Sequence, residues 1–177
     1  MFPPKPNFSA IVGNEARKKA FGNLQYVHAP VKGNQENISI KGSWARENLV
    51  IVQIPQLSGI TGAPVSGKIQ CHRIVADPLR LLFVELEKLD LLDDIHTWGG
   101  MFCPRLIRGS KTVLSNHAYG SAFDINAQWN PLGAAPAAEG KLGCLYQIVP
   151  VANKYGFYWG GHYQKRPDGM HFEFSRV

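Results

Sequence analysis

Two short segments, Ala122 to Asn126 and His171 to Phe174, alternate in residue type with a period of two, and nothing else in the chain constrains its fold as tightly. In the first, Ala122, Asp124 and Asn126 point one way and Phe123 and Ile125 the other. In the second, His171 and Glu173 share a face, with Phe172 and Phe174 opposite. A strand buried on one side presents its polar residues on the other. If the two strands lie near each other, Asp124 and His171 project onto one surface. His117, in the loop entering the first strand, can reach the same point.

The rest of the chain reads as a mixture of short elements. Asp77-Pro78 opens the clearest helix, with an acid at the cap and proline at the first helical position. Leu79, Leu82, Phe83, Leu86 and Leu89 recur at helical spacing, so that face is core, and the helix is expected to end near residues 92–94. A shorter helix is predicted from Asn14 to Phe21, stopped at Gly22. Another is predicted over residues 145–155, distorted by Pro150 and closed at Gly156. Strands are expected over residues 49–54, buried, and over 68–76 and 95–102, with a polar irregular connection over 103–116. Residues 1–10 are proline-rich and expected to be extended, on the surface or leading from an upstream module. The chain has 177 residues, 45% apolar and 18% charged, enough for one domain with a sizeable core. The expected division is residues 1–22 as a proline-rich segment with a short helix, then residues 23–177 as a single domain whose chemistry lies in 95–177.

A net charge of +6 favours anionic partners. The lysines and arginines are scattered, however, the densest cluster being Arg17, Lys18 and Lys19. No basic stripe interleaved with aromatics occurs, which argues against a nucleic-acid binder. Three cysteines, Cys71, Cys103 and Cys144, cannot all pair and form no C-x-x-C unit, so a disulfide framework and a thiolate metal site are both disfavoured. Synthesis in a reducing cytosol is expected. No transmembrane run is visible, and the opening Met-Phe-Pro-Pro-Lys-Pro-Asn lacks the apolar stretch of a secretion signal, unless the natural start has been trimmed away. Gly62 to Lys68 nearly spells a phosphate-binding loop, but Ile69 stands where the magnesium-binding hydroxyl belongs, and a strand follows where a helix is needed. Neither H-E-x-x-H nor G-x-S-x-G is present, and nothing supports a Cys–His nucleophile at Cys71 or Cys103.

Two imidazoles and one carboxylate, His117, His171 and Asp124, form a standard catalytic zinc set that leaves a position open for water. The ion would lower the pKa of that water toward ~7 and polarise a scissile carbonyl. A general base must sit beside the water. Asp168, in a Pro-Asp-Gly turn three residues before His171, is placed for it. Gly120 and Ala122 add weight, because small residues let the backbone approach a metal or substrate closely.

At these residues the chain resembles a known family. The spacing Ser115-x-His117-x-x-Gly120-x-Ala122-x-Asp124, followed by Asp168-x-x-His171-Phe172-Glu173, is similar to that of the zinc D-Ala-D-Ala peptidases. These include the vancomycin-resistance dipeptidases and carboxypeptidases and the phage L-alanyl-D-glutamate endopeptidases. The resemblance covers roughly residues 95–177. It implies an α+β fold, a small antiparallel sheet with flanking helices, shared with the signalling domain of hedgehog proteins. It implies one zinc ion on His117, Asp124 and His171, a base at Asp168, and an upstream arginine that stabilises the oxyanion: Arg105, with Arg108 as the fallback. Ser115 is expected to orient a ligand or the substrate. Glu173 is expected to hold the far nitrogen of a ligand histidine or to pair with an arginine. Tyr158 to His162 are expected to wall the pocket, with Trp159 against substrate or in the core. His162 is not chosen as a ligand, and His28, His72 and His96 are read as structural.

The function implied is hydrolysis of an amide bond in the stem peptide or cross-link of bacterial peptidoglycan. The type is carboxypeptidase or endopeptidase, with the bond left open. A lytic or antibacterial role is expected, with delivery to the periplasm or wall by a phage or secretion system, and an immunity protein as a further partner. The alternative is a catalytically inactive zinc-containing binding module of the same fold.

Overall fold

The computed structural model describes residues 1–177. Eight strands and four helices follow one another along the chain: α1 (Asn14–Phe21), β1 (Gln25–His28), β2 (Ile38–Lys41), α2 (Trp44–Asn48), β3 (Leu49–Gln53), β4 (Lys68–His72), α3 (Ala76–Lys88), β5 (Trp98–Gly100), β6 (Ala122–Ile125), α4 (Ile148–Lys154), β7 (Phe157–Trp159) and β8 (His171–Phe174). β1 and β2 form one antiparallel ribbon, and β3 and β4 another. The main sheet has four antiparallel strands in the order β5-β6-β8-β7. The result is an α+β fold built on small antiparallel sheets, as the resemblance implied.

The period-two pattern sets which face of the main sheet is dry. β6 and β8 pair with Ala122 opposite Glu173, Phe123 opposite Phe172 and Asp124 opposite His171. The rings of Phe123 and Phe172 stack across the strands at 5.3 Å between centroids, with Phe157 edge-on to Phe123. Trp98 of β5 stacks on the same phenylalanine, and Phe83 of α3 packs edge-on to Trp98. Leu79, Leu82 and Leu86 of α3 join this core with Val149 and Ala152 of α4. Fully burying one such ring stabilises the fold by roughly 1.5–3 kcal/mol. The opposite face of β6 and β8 carries Asp124, His171 and Glu173.

Several elements differ from the sequence expectations, each for a local reason. β3 forms where the β-branched run predicts a strand, but only Val52 and the following Ile54 are buried; Ile51 is 62% exposed, because α3 packs on the Val52 face of the ribbon and the other face stays uncovered. β4 ends at His72, and a 3-10 turn over Arg73–Val75 leads straight into α3. Asp77 is therefore inside the first turn, paired with Arg80 at 3.0 Å, and does not cap the helix. Pro78 sits beside it, where a missing N–H costs nothing. α3 stops at Lys88, since Asp90 takes a left-handed φ of 55°, and Leu89 lies outside the core at 49% exposure. The strand expected over 95–102 is only three residues long. Pro150 falls in the first turn of α4, so it distorts nothing. The connection over 103–116 is more ordered than its composition suggests: the Leu106 N–H donates to the Glu36 carbonyl, and Leu106 bridges to Leu114. Gly120 takes a left-handed φ of 63°, and its Cα lies against β4, where a Cβ would sit 3.0 Å from the His72 nitrogen. Its small size thus serves strand packing, not approach to a metal.

The N-terminal segment is part of the same packed unit. Phe2 packs against Tyr146, Trp159 and His162, and Phe8 packs against Tyr158 with the Arg176 guanidinium over its ring. Phe21 of α1 is fully buried in the core.

Candidate metal centre and active site

Three elements bring the polar residues together. His117 stands on a 3-10 turn, Asn116–Tyr119, whose start is capped by Ser115: its hydroxyl accepts from the His117 N–H at 3.3 Å. Asp124 and His171 are directly opposed on β6 and β8. His117 Nε2 lies 3.2 Å from His171 Nδ1 and 3.2 Å from an Asp124 oxygen, and His171 Nδ1 lies 3.0 Å from Asp124 Oδ1. One donor atom from each of the three residues falls within 4.8 Å of the others, a group able to hold a metal ion.

The surroundings fix which nitrogens face inward. His117 Nδ1 is 2.9 Å from the Met101 carbonyl, an acceptor only, so Nδ1 carries the proton and the Nε2 lone pair points to the centre. His171 turns Nδ1 inward, and its Nε2 faces Glu173 Oε2 at 3.6 Å. Burial alone would raise the Asp124 carboxyl, but the two imidazoles beside it hold it well below the usual carboxylate range. Burial opposes charge on His171, but hydrogen bonds to Asp124 and Glu173 outweigh it, and its pKa is raised. Two imidazole nitrogens and a carboxylate oxygen clustered this closely fit a divalent cation. The donor set, two nitrogens and one carboxylate, suits zinc.

A cavity of about 330 Å³ opens at this centre, and His117, His171, Glu173 and Asp168 all line it. The Asp168 turn is braced by Gly160, whose carbonyl accepts from the Asp168 N–H at 2.9 Å. Asp168 is not one of the three clustered donors. Its oxygen Oδ1 is buried without a partner, and its pKa is raised: burial and the charge of Asp124 push it up against the opposing pull of His171, His117 and Arg105.

The remaining residues singled out by the sequence fall into place as follows. Ser115 lines the cavity and acts on the turn that carries His117. Arg105 lines the cavity and makes a single side-chain hydrogen bond, to the Leu106 carbonyl at 3.2 Å. Arg108 also reaches the cavity, but its guanidinium is held by Glu36 at 2.8 Å and by Asn34. Trp159 does not reach substrate: it is fully buried, and its indole N–H donates to the Gly169 carbonyl at 2.8 Å, fastening the turn after Asp168. His162 bonds the Pro3 carbonyl. His72 bonds the Phe21 carbonyl, His28 that of Gln35, and His96 packs on Trp129.

Residues 108–174 match the model of a family described as D-alanyl-D-alanine carboxypeptidase. This segment, 67 of the 177 residues, is similar to the D-alanyl-D-alanine carboxypeptidases. The matched segment contains all three clustered donors together with Ser115, Asp168 and Glu173, while Arg105 lies just before it. No curated protein and no solved structure matches the chain.

Several cavity residues went unremarked in the sequence. Arg17, Asn116, Tyr163, Lys165 and Arg166 all line it, as do Ile11 and Val12 from the N-terminal segment. Arg17 was hidden in a basic run whose other members, Lys18 and Lys19, are exposed. The available signal was its spacing: Arg17 and Phe21 are four apart on one helix face, and both are buried.

Proposed function

We propose that the chain is a zinc-dependent peptidase that hydrolyses an amide bond in the peptide part of bacterial peptidoglycan. The observation that carries the reading is the position of Asp168: a half-buried carboxylate, one oxygen fully covered, lining the same cavity as two of the three clustered donors. His117, Asp124 and His171 would hold the zinc. When bound, the ion supplies Lewis acidity, making a water a better nucleophile near neutral pH and polarising a carbonyl. Asp168 takes the proton from the attacking water and delivers it to the leaving amine. Burial suits it to that task, because a base whose pKa is nearer the working pH both accepts and returns a proton. Arg105, free of any carboxylate partner, stabilises the negative charge that develops on the carbonyl oxygen.

The lining supports a peptide that carries carboxylates. Arg105, Arg108, Lys165 and Arg166 border the cavity, and stem peptides offer free carboxyl groups to such a rim. The net charge of +6 further favours approach to anionic wall polymers. We read the role as lytic or antibacterial, with the protein delivered to the wall or periplasm by a phage or secretion system. An immunity protein would accompany such a role.

Digestion of purified peptidoglycan by the zinc-loaded protein, followed by mass spectrometry, tests the reading. New peptide termini are expected, and they identify the bond cut. They should vanish with a chelator and with Asp168→Ala. Intact peptidoglycan after treatment with fully zinc-loaded protein would instead favour a binding module without catalysis.

A further inference from the structure

The metal centre has a support that begins far from it, near the start of the chain. Arg17 of α1 is 5% exposed, and its Nε donates to Asn116 Oδ1 at 2.5 Å. The Asn116 amide in turn donates from Nδ2 to Glu173 Oε2. That same oxygen faces His171 Nε2 at 3.6 Å. Arg17, Asn116 and Glu173 thus form one line of buried polar groups ending on a metal-binding imidazole. Each member is at most 5% exposed.

We propose that Arg17 is a positioning residue for the metal centre, acting through Asn116 and Glu173 on His171. The inference rests on the zinc reading above. A carboxylate buried beside an imidazole holds the ring only if the carboxylate is itself fixed. Asn116 fixes Glu173 by donating to it, and Arg17 fixes Asn116 by occupying its acceptor, which also settles which end of the amide faces Glu173. The Arg17 charge offsets that of Glu173 in a region where an uncompensated charge is costly. Asn116 also adjoins His117 in the chain, so the same bond steadies the turn that carries a second ligand. Lys18, the next residue on α1, is exposed and takes no part.

Zinc affinity measured by chelator competition on the full chain tests the proposal without reference to catalysis. Arg17→Met is expected to weaken zinc binding about tenfold or more, the range found when groups supporting a metal ligand are removed. The cobalt-substituted protein should show altered visible absorption bands, and Lys18→Met should leave both readouts unchanged. Glu173→Gln should weaken binding similarly. The double variant Arg17→Met, Glu173→Gln should bind no more weakly than the worse single variant, because both act along one line. If Arg17→Met does not fold, Arg17→Lys carries the same test: it keeps the charge but not the planar N–H aimed at Asn116, and a several-fold loss is expected. Wild-type zinc affinity in a folded Arg17 variant, or losses that simply add in the double variant, would overturn the proposal. Failure of the unaltered protein to bind zinc would instead sink the functional reading on which it rests.

Discussion

A Cβ on Gly160 would stand 2.6 Å from the backbone oxygen of Asp168, so the two turns that carry these residues are in contact without room for a methyl group. The contact is between main chains, and neither can swing aside as a flexible side chain would. Gly160→Ala is therefore expected to displace Asp168 from the cavity wall. A shift of about 1 Å in a catalytic group can cost as much as about 100-fold in rate. Steady-state kinetics on a released stem-peptide fragment should show the loss in kcat, and a wild-type kcat would show that the Asp168 turn is not held by this contact.

Asp168 trades stability for its role. Its pKa is raised in the folded protein, chiefly by burial. The folded state therefore binds this proton more tightly than the unfolded chain, and stability falls as pH rises from the ordinary carboxylate value through the folded one. Asp168→Asn is expected to melt higher than the unaltered protein at neutral pH, both metal-free. The gap should close on acidification below the ordinary carboxylate range, while hydrolysis is lost. Equal melting temperatures at pH 7 would contradict the burial argument.

Metal content separates two of the buried histidines, His117 and His162. His117→Ala removes a clustered donor and should abolish tight zinc binding. His162→Ala should keep the metal, because its Nε2 meets only the Pro3 carbonyl. Its cost should be stability, about 1 kcal/mol for the lost hydrogen bond. Elemental analysis after dialysis reads both, and zinc lost from His162→Ala alone would reverse the assignment.

The two candidate arginines should differ in kind. Arg105→Ala is expected to lower kcat by roughly 10²–10³, the range for removal of a donor to a developing oxyanion, with a small change in KM. Arg108→Ala breaks an exposed pair with Glu36. It should cost about 0–1 kcal/mol in stability and act on KM more than on kcat. A larger kcat loss at Arg108 would exchange their roles.

The sequence revealed the centre better than its frame. Alternation in β6 and β8 assigns Asp124 and His171 to a polar face because the strand period is two whatever the strands pack against. It fixes the shared face but not the register, so the direct opposition of Asp124 and His171 and the stacked Phe123–Phe172 pair appear only in the fold. The ends of elements were harder to place. α3 stops where Asp90 turns left-handed, and β3 is bare on the face that no other element covers. Neither is written in local propensity, since both depend on what packs beside them. Trp159 lies in a stretch that reads as a pocket wall, yet its indole supports the Asp168 turn from beneath. Arg17 was the least legible, because a basic run on a helix reads as a solvated face until the partner 99 residues away is in place.

That separation has a consequence for how the protein is made. A ribosome releases α1 well before β8, so a nascent chain holds Arg17 ready long before Glu173 and His171 have emerged. Until they do, Asn116 has nothing to receive its amide proton, and the centre lacks one of its three clustered donors. β8 must therefore have emerged before the chain can capture a metal tightly. A truncation that removes only β8 should leave a chain unable to retain zinc, however much of the remaining fold survives.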